Sequence, residues 1–321
     1  MQKKYHACAL GEMLIDFTYQ CNNAQGQKMF AQNPGGAPAN VMAAMSKLGA
    51  DTAFMGKAGN DIHGRFLKDT LNNCGINSDD FILTDDYFTT LAFVDIKPNG
   101  EREFSFARKY GADKMFTIED INLQRIEDSN IFHIGSVSMT EEPFRNATMY
   151  AIKKAKMFGC IVSYDPNYRS SLWSDIKTAS EQMRRILQYA DIVKISEEET
   201  ELLTGYREAE AAANVLIKQG IKIAVVTLGE RGAYVATKDG GKFVGGYEAK
   251  VKDTTGAGDS FWGGFLYKLC QLSKPINQIS HIEAIECAEF GNAAASICVE
   301  DYGAITALPD LEKVIKKMKK H

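Results

Sequence analysis

Short apolar runs recur along the second half of the chain, and their starts lie about 30 residues apart, the length of one strand-helix-strand unit. The segments between them show helical periodicity with charged faces, as at Phe144–Phe158 and Asp175–Tyr189. Strands at this spacing pair in parallel and are buried on both faces. The pattern therefore predicts a doubly wound α/β domain with a mostly parallel sheet. The four runs are Ile131–Ile134, Ile161–Tyr164, Ile192–Ile195 and Ile223–Thr227.

The region from Gly11 to Ala107 shows extended runs of a different kind. Leu91–Lys97 and Glu101–Ala107 flank the sequence Pro98-Asn99-Gly100, which is a strong turn signal. Asn-Gly is favoured in tight hairpin turns because both residues tolerate positive φ. We therefore predict an antiparallel hairpin here.

A second extended pair is predicted at Met13–Tyr19 and Lys28–Gln32. Together the two pairs predict a small antiparallel sheet, formed by about residues 12–34 and 88–110. A sheet inserted beside the C-terminal edge of a parallel sheet could act as a lid that excludes water from a site at that edge.

The composition is that of a globular protein. Of 321 residues, 45% are hydrophobic and 24% are charged, which allows one large α/β domain with an appendage. We therefore expect residues 1–321 to form a single domain. The net charge of −4 gives no long-range attraction for a polyanion, which argues against nucleic acid as the main partner.

The seven cysteines include no Cys-x-x-Cys pair and predict neither a disulfide framework nor a zinc site. Reduced thiols are typical of the cytoplasm, where we expect this protein. The N-terminal apolar stretch is interrupted by Glu12 and Asp16, so we expect neither a signal peptide nor a membrane span.

The most informative stretch is a glycine-rich loop, Asp253-Thr254-Thr255-Gly256-Ala257-Gly258-Asp259-Ser260-Phe261, ahead of a segment with helical spacing. Free N–H groups at a helix start stabilise negative charge, and glycines let a phosphate approach the backbone closely. We predict that Asp259, in the first turn, accepts the proton of an attacking hydroxyl beside this anion hole. The alternative is that Asp253 or Asp259 merely caps the helix. The N–H groups of the anion hole belong to Gly256, Ala257 and Gly258.

A second glycine-containing stretch is Gly35-Gly36-Ala37-Pro38-Ala39-Asn40-Val41. Paired glycines allow close backbone contact with a ligand, and Pro38 suits a first helical position. Asn40 can then point its amide at the bound ligand. A plain turn into a helix is the alternative interpretation.

Both stretches resemble the two motifs of the PfkB carbohydrate kinase family, also called the ribokinase family, in the family's order. The resemblance runs from about residue 5 to residue 309. It implies a ribokinase-like fold with a β lid, and transfer of the γ-phosphate of ATP to a sugar hydroxyl with Mg²⁺ as cofactor. It also implies that Asp16 grips two sugar hydroxyls, near Gly35, Gly36 and Asn40. For Asp16, a strand-end or turn aspartate is the alternative.

The resemblance also implies a nucleotide site. Ser196-Glu197-Glu198-Glu199 falls where many relatives have Asn-x-x-Glu, so Glu199 would act on Mg²⁺ through water, since Mg²⁺ dehydrates reluctantly. A solvated acidic helix start is the alternative. Thr227-Leu228-Gly229-Glu230-Arg231-Gly232 resembles the turn that contacts the nucleotide, and Asp253 and Thr255 could help to hold a monovalent cation such as K⁺. The residues assigned to ATP are Lys194, Ser196, Glu199, Thr227, Gly229, Gly232, Gly256, Gly258 and Asn292.

Residues near the lid indicate the sugar. Leu14 stands where ribokinases usually carry an asparagine, which disfavours ribose. Glu103–Asp113 resembles the fructokinase branch, with Arg108 as the clamp on the hexose, and Asp165-Pro166-Asn167-Tyr168-Arg169 is also fructokinase-like. The latter motif recurs in ketodeoxygluconate kinases. Because Arg108 or Arg169 would pair naturally with a carboxylate, a sugar acid is the alternative to fructose.

Functions of other classes are disfavoured. A nicotinamide-dependent oxidoreductase would carry a Gly-x-Gly-x-x-Gly turn after the first strand, and the sequence there is Gly11-Glu12-Met13. A sugar-sensing binding protein without turnover is a further alternative, but this chain retains Asp259. An apolar face on the lid predicts a homodimer in which two lids pair.

Overall fold

The structure, a computed structural model, describes residues 3–96 and 102–319. Its strands form two separate sheets, one large and one small. The strands, in chain order, are β1 (Tyr5–Leu10), β2 (Leu14–Asn22), β3 (Lys28–Gly35), β4 (Thr52–Gly59), β5 (Ile76–Asn77), β6 (Phe81–Thr84), β7 (Leu91–Ile96), β8 (Arg102–Ala107), β9 (Ser129–Ile134), β10 (Ile161–Tyr164), β11 (Ile192–Ser196), β12 (Ile223–Thr227), β13 (Ala233–Thr237) and β14 (Gly240–Val244). The α-helices are α1 (Ala37–Lys47), α2 (Ile62–Asn73), α3 (Leu123–Glu127), α4 (Phe144–Met157), α5 (Ile176–Leu187), α6 (Thr200–Thr204), α7 (Ala209–Lys218), α8 (Ala257–Gln271), α9 (His281–Cys298) and α10 (Leu311–Met318).

The large sheet is parallel over most of its width. Its strand order is β14-β13-β12-β11-β10-β9-β1-β4-β5, with β6 paired to β4, and β13 pairs antiparallel with both β12 and the edge strand β14. The four apolar runs of the second half form β9 to β12, which confirms the predicted parallel sheet. Because parallel strands end at the same edge, the loops that follow β10, β11 and β12 open on one side of the domain.

Helices cover both faces of this sheet. Along β1, Ala7 and Ala9 belong to one buried cluster, and the alternating residues Cys8 and Leu10 belong to the other. Helices α1, α8 and α9 contribute to the first cluster, and α4, α5 and α7 to the second. This arrangement confirms the doubly wound α/β prediction. Within residues 3–96 and 102–319, no helix is long and apolar enough to cross a membrane.

The small sheet, which we call the lid, has the strand order β3-β2-β7-β8. Strand β2 pairs antiparallel with β3, and β7 with β8, as predicted. The two hairpins are joined by a parallel pairing of β2 with β7, in which Asp16 lies opposite Ala92. The turn predicted at Pro98-Asn99-Gly100 lies outside the described residues.

Helix α8 approaches its neighbours α1 and α9 very closely. A Cβ atom on Gly263 of α8 would overlap the Cβ of Ala44 in α1, and one on Gly291 of α9 would lie 2.7 Å from the Phe261 carbonyl oxygen. Behind these contacts, the buried rings of Trp262 and Phe265 stack with their centroids 4.8 Å apart. Glycine therefore fixes α1 against α8, and with them the first turns of both helices.

We expect Gly263→Ala to lower the free energy of unfolding by about 1–3 kcal/mol, because the new methyl group forces α1 and α8 apart. The gain in helix propensity, about 1 kcal/mol, offsets only part of this cost. Denaturant titration measures the change. Gly245→Ala is the control, since a Cβ there meets open space. Equal stability of the two variants would contradict the packing argument.

Candidate active site

The glycine-rich loop enters α8 as the sequence predicts. Gly256 precedes the helix with φ 76°, in the left-handed region that favours glycine. A Cβ atom there would also lie 2.7 Å from the Cα of Ala304, so the loop at Gly303 and Ala304 closes against the helix start. Gly256 has no side chain to cap the first turn, and the N–H of Ala257 donates to the carbonyl oxygen of Thr254 at 3.3 Å. An anion at this helix start would replace that carbonyl as the partner of the Ala257 N–H.

Asp259 meets the second glycine motif at this point. The Nδ2 atom of Asn40, in the first turn of α1, donates a hydrogen bond of 2.8 Å to Asp259 Oδ2. Both side chains are buried. Burial raises the pKa of Asp259 above its ordinary value, opposed by the charge of Lys194, the hydrogen bond from Asn40 and the charge of Arg169. The two motifs therefore form one site around a carboxylate that can accept a proton.

The lid contributes a second carboxylate. A Cβ atom on Gly35 would overlap Asp16 Oδ2, so the paired glycines lie directly against Asp16. Burial raises the pKa of Asp16 to about 6, and the charge of Arg169 opposes the rise. The charge of Arg169 lowers the pKa of both Asp16 and Asp259, so its guanidinium lies within electrostatic range of both carboxylates. Arg169 itself is exposed. The structure thus gathers Asp16, Gly35, Gly36, Asn40 and Arg169 in front of Asp259.

Arg108, the predicted sugar clamp, is buried and already has partners. Its Nε and Nη2 atoms lie 2.9 Å and 2.8 Å from Asp113 Oδ2, and its Nη1 donates to Thr140 Oγ1 at 3.0 Å. Thr90 Oγ1 donates to the other oxygen of Asp113. Thr90 and Arg108 lie where the chain enters β7 and leaves β8, so this network anchors the lid to the main body.

Glu12, to which the sequence analysis gave no function, lies at the entry to β2. Its Oε1 accepts a hydrogen bond of 3.2 Å from the N–H of Ala37, at the start of α1. Burial raises its pKa to about 7, while the charge of Arg108 lowers it. Glu12 therefore joins the lid, the glycine motif and α1. In the sequence, the indication of this role was the position of Glu12, a charged residue between an apolar strand and the lid.

A cavity of about 1290 Å³ opens beside the first turn of α8. Five residues assigned to ATP line it: Thr227, Gly229, Gly232, Gly258 and Asn292. The amide of Asn292 donates to the carbonyl oxygens of Val244 and Gly245, at 3.2 Å and 3.0 Å, and so holds one wall. Four further lining residues belong to the predicted nucleotide turn or the glycine-rich loop: Glu230, Thr254, Ala257 and Phe261. The remaining lining residues were not predicted, and the glycine pair Gly245-Gly246 was the available signal for them. These are Gly246, Tyr247, Glu248, Ala249, Lys250, Val251, Ala295, Ser296, Val299 and Glu300.

Lys194, Ser196 and Glu199 lie at the carboxyl end of β11, outside the lining of this cavity. The carboxylate of Glu199 is fixed by backbone groups: Oε1 accepts from the Tyr168 N–H at 2.6 Å and Oε2 from the Ser196 N–H at 2.7 Å. Lys194 Nζ forms a buried ion pair of 2.7 Å with Asp165.

Asp253 and Thr255, the predicted cation residues, form a compact turn. Asp253 Oδ1 accepts from the N–H and the hydroxyl of Thr255, at 2.9 Å and 2.7 Å. Its Oδ2 accepts from the Gly303 N–H at 3.0 Å, which ties the turn to the loop after α9. Among the described residues, no group of three or more His, Cys, Asp or Glu side chains is placed to hold a metal ion.

Comparison with known proteins agrees with this geometry. The model of the pfkB family carbohydrate kinases matches residues 4–311. The probable fructokinase-5 of Arabidopsis thaliana is 40% identical, over 97% of this chain and 98% of its own. Fructokinase-2 of Oryza sativa subsp. japonica is also 40% identical, over 94% of this chain and 90% of its own.

Solved structures share the fold across the whole chain. Fructokinase from Xylella fastidiosa with bound ATP has a TM-score of 0.91 at 31% identity, covering 98% of this chain and 99% of its own. A fructokinase double mutant from Vibrio cholerae O395, in a form with fructose, ADP and potassium ion bound, has a TM-score of 0.88 at 32% identity, covering 99% of each chain.

We expect Arg108→Gln to lower the free energy of unfolding by about 3–5 kcal/mol, because it leaves the buried carboxylate of Asp113 without its cation. Chemical denaturation measures the loss. Arg207→Gln is the matched control: Arg207 pairs with Glu201 at the surface, where the side chains are 80% and 58% exposed, and should cost less than about 1 kcal/mol. Normal stability of Arg108→Gln, with weakened sugar binding, would instead favour the clamp.

Proposed function

The chain belongs to the pfkB family of carbohydrate kinases, and from this premise we propose that it transfers the γ-phosphate of ATP to the primary hydroxyl of fructose, giving fructose 6-phosphate. As a member of that family it is a phosphotransferase with an alcohol group as acceptor. The observation that carries the proposal is the hydrogen bond from Asn40 to Asp259, which joins the sugar motif to the helix start beside the large cavity.

In this mechanism the primary hydroxyl of the sugar lies between Asp259 and the γ-phosphate. The hydroxyl proton passes to the Asp259 carboxylate as the new oxygen–phosphorus bond forms. The bond to the bridging oxygen breaks, and its electron pair leaves with ADP. The N–H groups from Gly256 to Gly258 stabilise the charge on the phosphoryl oxygens during the transfer. Closure of the lid over Asp16 would exclude water, which could otherwise accept the phosphate.

The charges around the sugar site favour a neutral sugar over a sugar acid. A substrate carboxylate would lie near both Asp16 and Asp259, and like charges at short range repel. Arg108 is already neutralised by Asp113, so it offers little to such an anion. Of the two arginines predicted to contact the sugar, Arg169 is the exposed one. The similar proteins named above are fructokinases, which supports the same choice.

Glu199 fits the proposed magnesium site through water. Its Oε2 accepts from both the N–H and the hydroxyl of Ser196, at 2.7 Å and 3.0 Å, and its Oε1 accepts from the Tyr168 N–H at 2.6 Å. Oε1 can therefore accept a further hydrogen bond from a metal-bound water. Mg²⁺ keeps several waters and takes one or two carboxylates together with substrate phosphates. Bound with ATP, it would neutralise phosphate charge, while Glu199 orients its water shell.

The turn of Asp253 and Thr255 supports a monovalent cation next to the anion hole. Through Gly303 the carboxylate fixes the loop that closes on Gly256, so a cation bound there would order the start of α8. We propose K⁺ in this role. The potassium-bound form of the Vibrio cholerae relative supports the choice.

We propose that the protein forms a homodimer through the lid. We also propose that it is located in the cytoplasm. On the lid, the side chains of Met29 and Phe93 are 47% and 39% exposed, and this apolar surface is what a second lid would cover. The seven cysteines are free, which is typical of a reducing compartment.

Release of ADP by the purified protein with Mg-ATP tests the proposed function. Fructose, ribose, ketodeoxygluconate and adenosine are compared at the same salt concentration. We expect a rate with fructose that far exceeds the other three. Preference for ketodeoxygluconate would keep Asp259 as the base but reassign Arg169 to carboxylate recognition. No ADP with any acceptor would favour a sugar-sensing binding protein.

We expect Asp259→Asn to reduce kcat by about 10²- to 10⁴-fold, because the amide keeps the shape of the side chain but accepts no proton. ATP binding, measured by calorimetry, should persist. Asp175→Asn is the control, since the carboxylate of Asp175 accepts hydrogen bonds from Ser174 and Thr178 at the start of α5, and its loss tests a helix cap. Turnover of Asp259→Asn near the wild-type rate would exclude Asp259 as the base.

A further inference from the structure

A buried ion pair lies beneath the proposed anion hole. Lys194 Nζ is 2.7 Å from Asp165 Oδ2, and the two side chains are 7% and 1% exposed. Asp165 directly follows β10, and Lys194 belongs to the adjacent parallel strand β11, where Tyr164 and Val193 are register partners. Burying two charges is costly, so a pair in this position calls for an explanation other than stability.

Lys194 points toward α8. Its neighbours Val193 and Ile195 belong to the cluster on the opposite face of the sheet, so the side chain of Lys194 projects toward α1 and α8. A Cβ atom on Gly258 would lie 3.1 Å from Nζ and 3.8 Å from Cε of Lys194. The ammonium group therefore lies against the first turn of α8, next to the N–H groups of the anion hole.

Asp165 keeps this ammonium charged. Burial alone disfavours the charged form of Lys194, but Asp165, Glu199 and Asp259 outweigh it and raise the pKa of Lys194 above its ordinary value. The other carboxylate oxygen of Asp165, Oδ1, is buried and has no hydrogen-bond partner among the described residues. Asp165 thus has one strong partner, Lys194, and holds the side chain of Lys194 in a single direction.

We propose that Lys194 contacts the phosphoryl group during its transfer and neutralises its charge, and that Asp165 is the residue that positions Lys194. This inference rests on the proposed kinase function and deepens it. Lys194 keeps its proton throughout, since the proton of the sugar hydroxyl goes to Asp259 and the electron pair of the broken bond leaves with ADP. A fixed ammonium at a helix N-terminus adds a full charge to the partial charges of the N–H groups.

The same ammonium also affects the base. Its charge lowers the pKa of Asp259, against the larger effect of burial. The other ionisable groups that act on or with Asp259 are Asp165, Arg169 and the thiol of Cys298. Removal of the ammonium should therefore raise the pKa of Asp259, and the acid limb of kcat/KM, which falls as Asp259 is protonated, should move to higher pH.

Four variants test the inference: Lys194→Met, Lys194→Arg, Asp165→Asn and the double variant Asp165→Asn/Lys194→Met. The double variant removes both members of the ion pair, so neither is left without the other, and it should fold even where a single variant does not. We expect Lys194→Met and the double variant to lose about 10²-fold in kcat or more, with the acid limb shifted upward. Lys194→Arg, which keeps the charge, should retain more activity than Lys194→Met. Asp165→Asn should lose activity because Lys194 is no longer held in position.

Lys156→Met is the matched control. Lys156 pairs with Asp191 at 2.6 Å, and Asp191 directly precedes β11, at the opposite end of the strand from Lys194. Its loss should alter stability without a change in kcat or in the pH profile. If the folded double variant turns over at the wild-type rate with an unshifted acid limb, the ion pair is purely structural and the inference is wrong.

Nucleotide binding separates this inference from the proposed function. Calorimetry without sugar should show that Lys194→Met weakens ATP binding about tenfold more than ADP binding, since only ATP carries the phosphoryl group that Lys194 contacts. If the wild type phosphorylates no sugar but this difference is found, Lys194 still binds the phosphate and only the proposed function fails. An active wild type, with ATP and ADP affected equally, would overturn the assignment of Lys194.

Discussion

The hydrogen bond between Asn40 and Asp259 is the contact on which the rest of the site depends. It joins residues 219 positions apart and holds the first turns of α1 and α8 together. Each turn is preceded by a glycine with positive φ, Gly36 at 123° and Gly256 at 76°. A larger residue at either position would strain the backbone and displace one partner of the bond. The close packing of α1 against α8 therefore has a chemical consequence, because it sets the position of the base.

Charges around this bond are separated by sign. In the proposed mechanism, Asp16 and Asp259 face the sugar, where a neutral alcohol tolerates carboxylates and one of them must accept a proton. The N–H groups of α8 and the ammonium of Lys194 would face the phosphate, where they stabilise an anion. The fold brings both sets to the carboxyl edge of one parallel sheet, so the two substrates can be sorted by charge before they react.

Much of the fold follows from local pattern in the sequence. The spacing of the runs that became β9 to β12 predicted the parallel sheet, and the two glycine motifs predicted the starts of α1 and α8. Alternation and turn signals predicted both lid hairpins. The parallel pairing of β2 with β7 could not be predicted, because it joins segments whose sequences carry no mutual signal.

The partners of buried charged residues could not be predicted from the sequence either. The resemblance of Glu103–Asp113 to the fructokinase branch predicts Arg108 as a sugar clamp, but tertiary packing decides that Arg108 is buried against Asp113. Asp165 and Lys194 were both visible as polar residues at strand ends, yet only the pairing of β10 with β11 places their side chains together. Glu12 likewise gains its role from the N–H of Ala37, which is 25 positions away in the chain.

The most direct test of the account is the identity of the phosphorylated product. Phosphorus NMR of a reaction with Mg-ATP and fructose follows the γ-phosphate as it leaves the nucleotide. Carbon–phosphorus coupling in the assigned carbon spectrum then distinguishes an ester at C6 from one at C1, since fructose has a primary hydroxyl at each carbon. We expect the γ-phosphate signal to be replaced by one phosphomonoester, at the C6 hydroxyl of fructose. Inorganic phosphate in place of a sugar ester, or unchanged ATP, would contradict it.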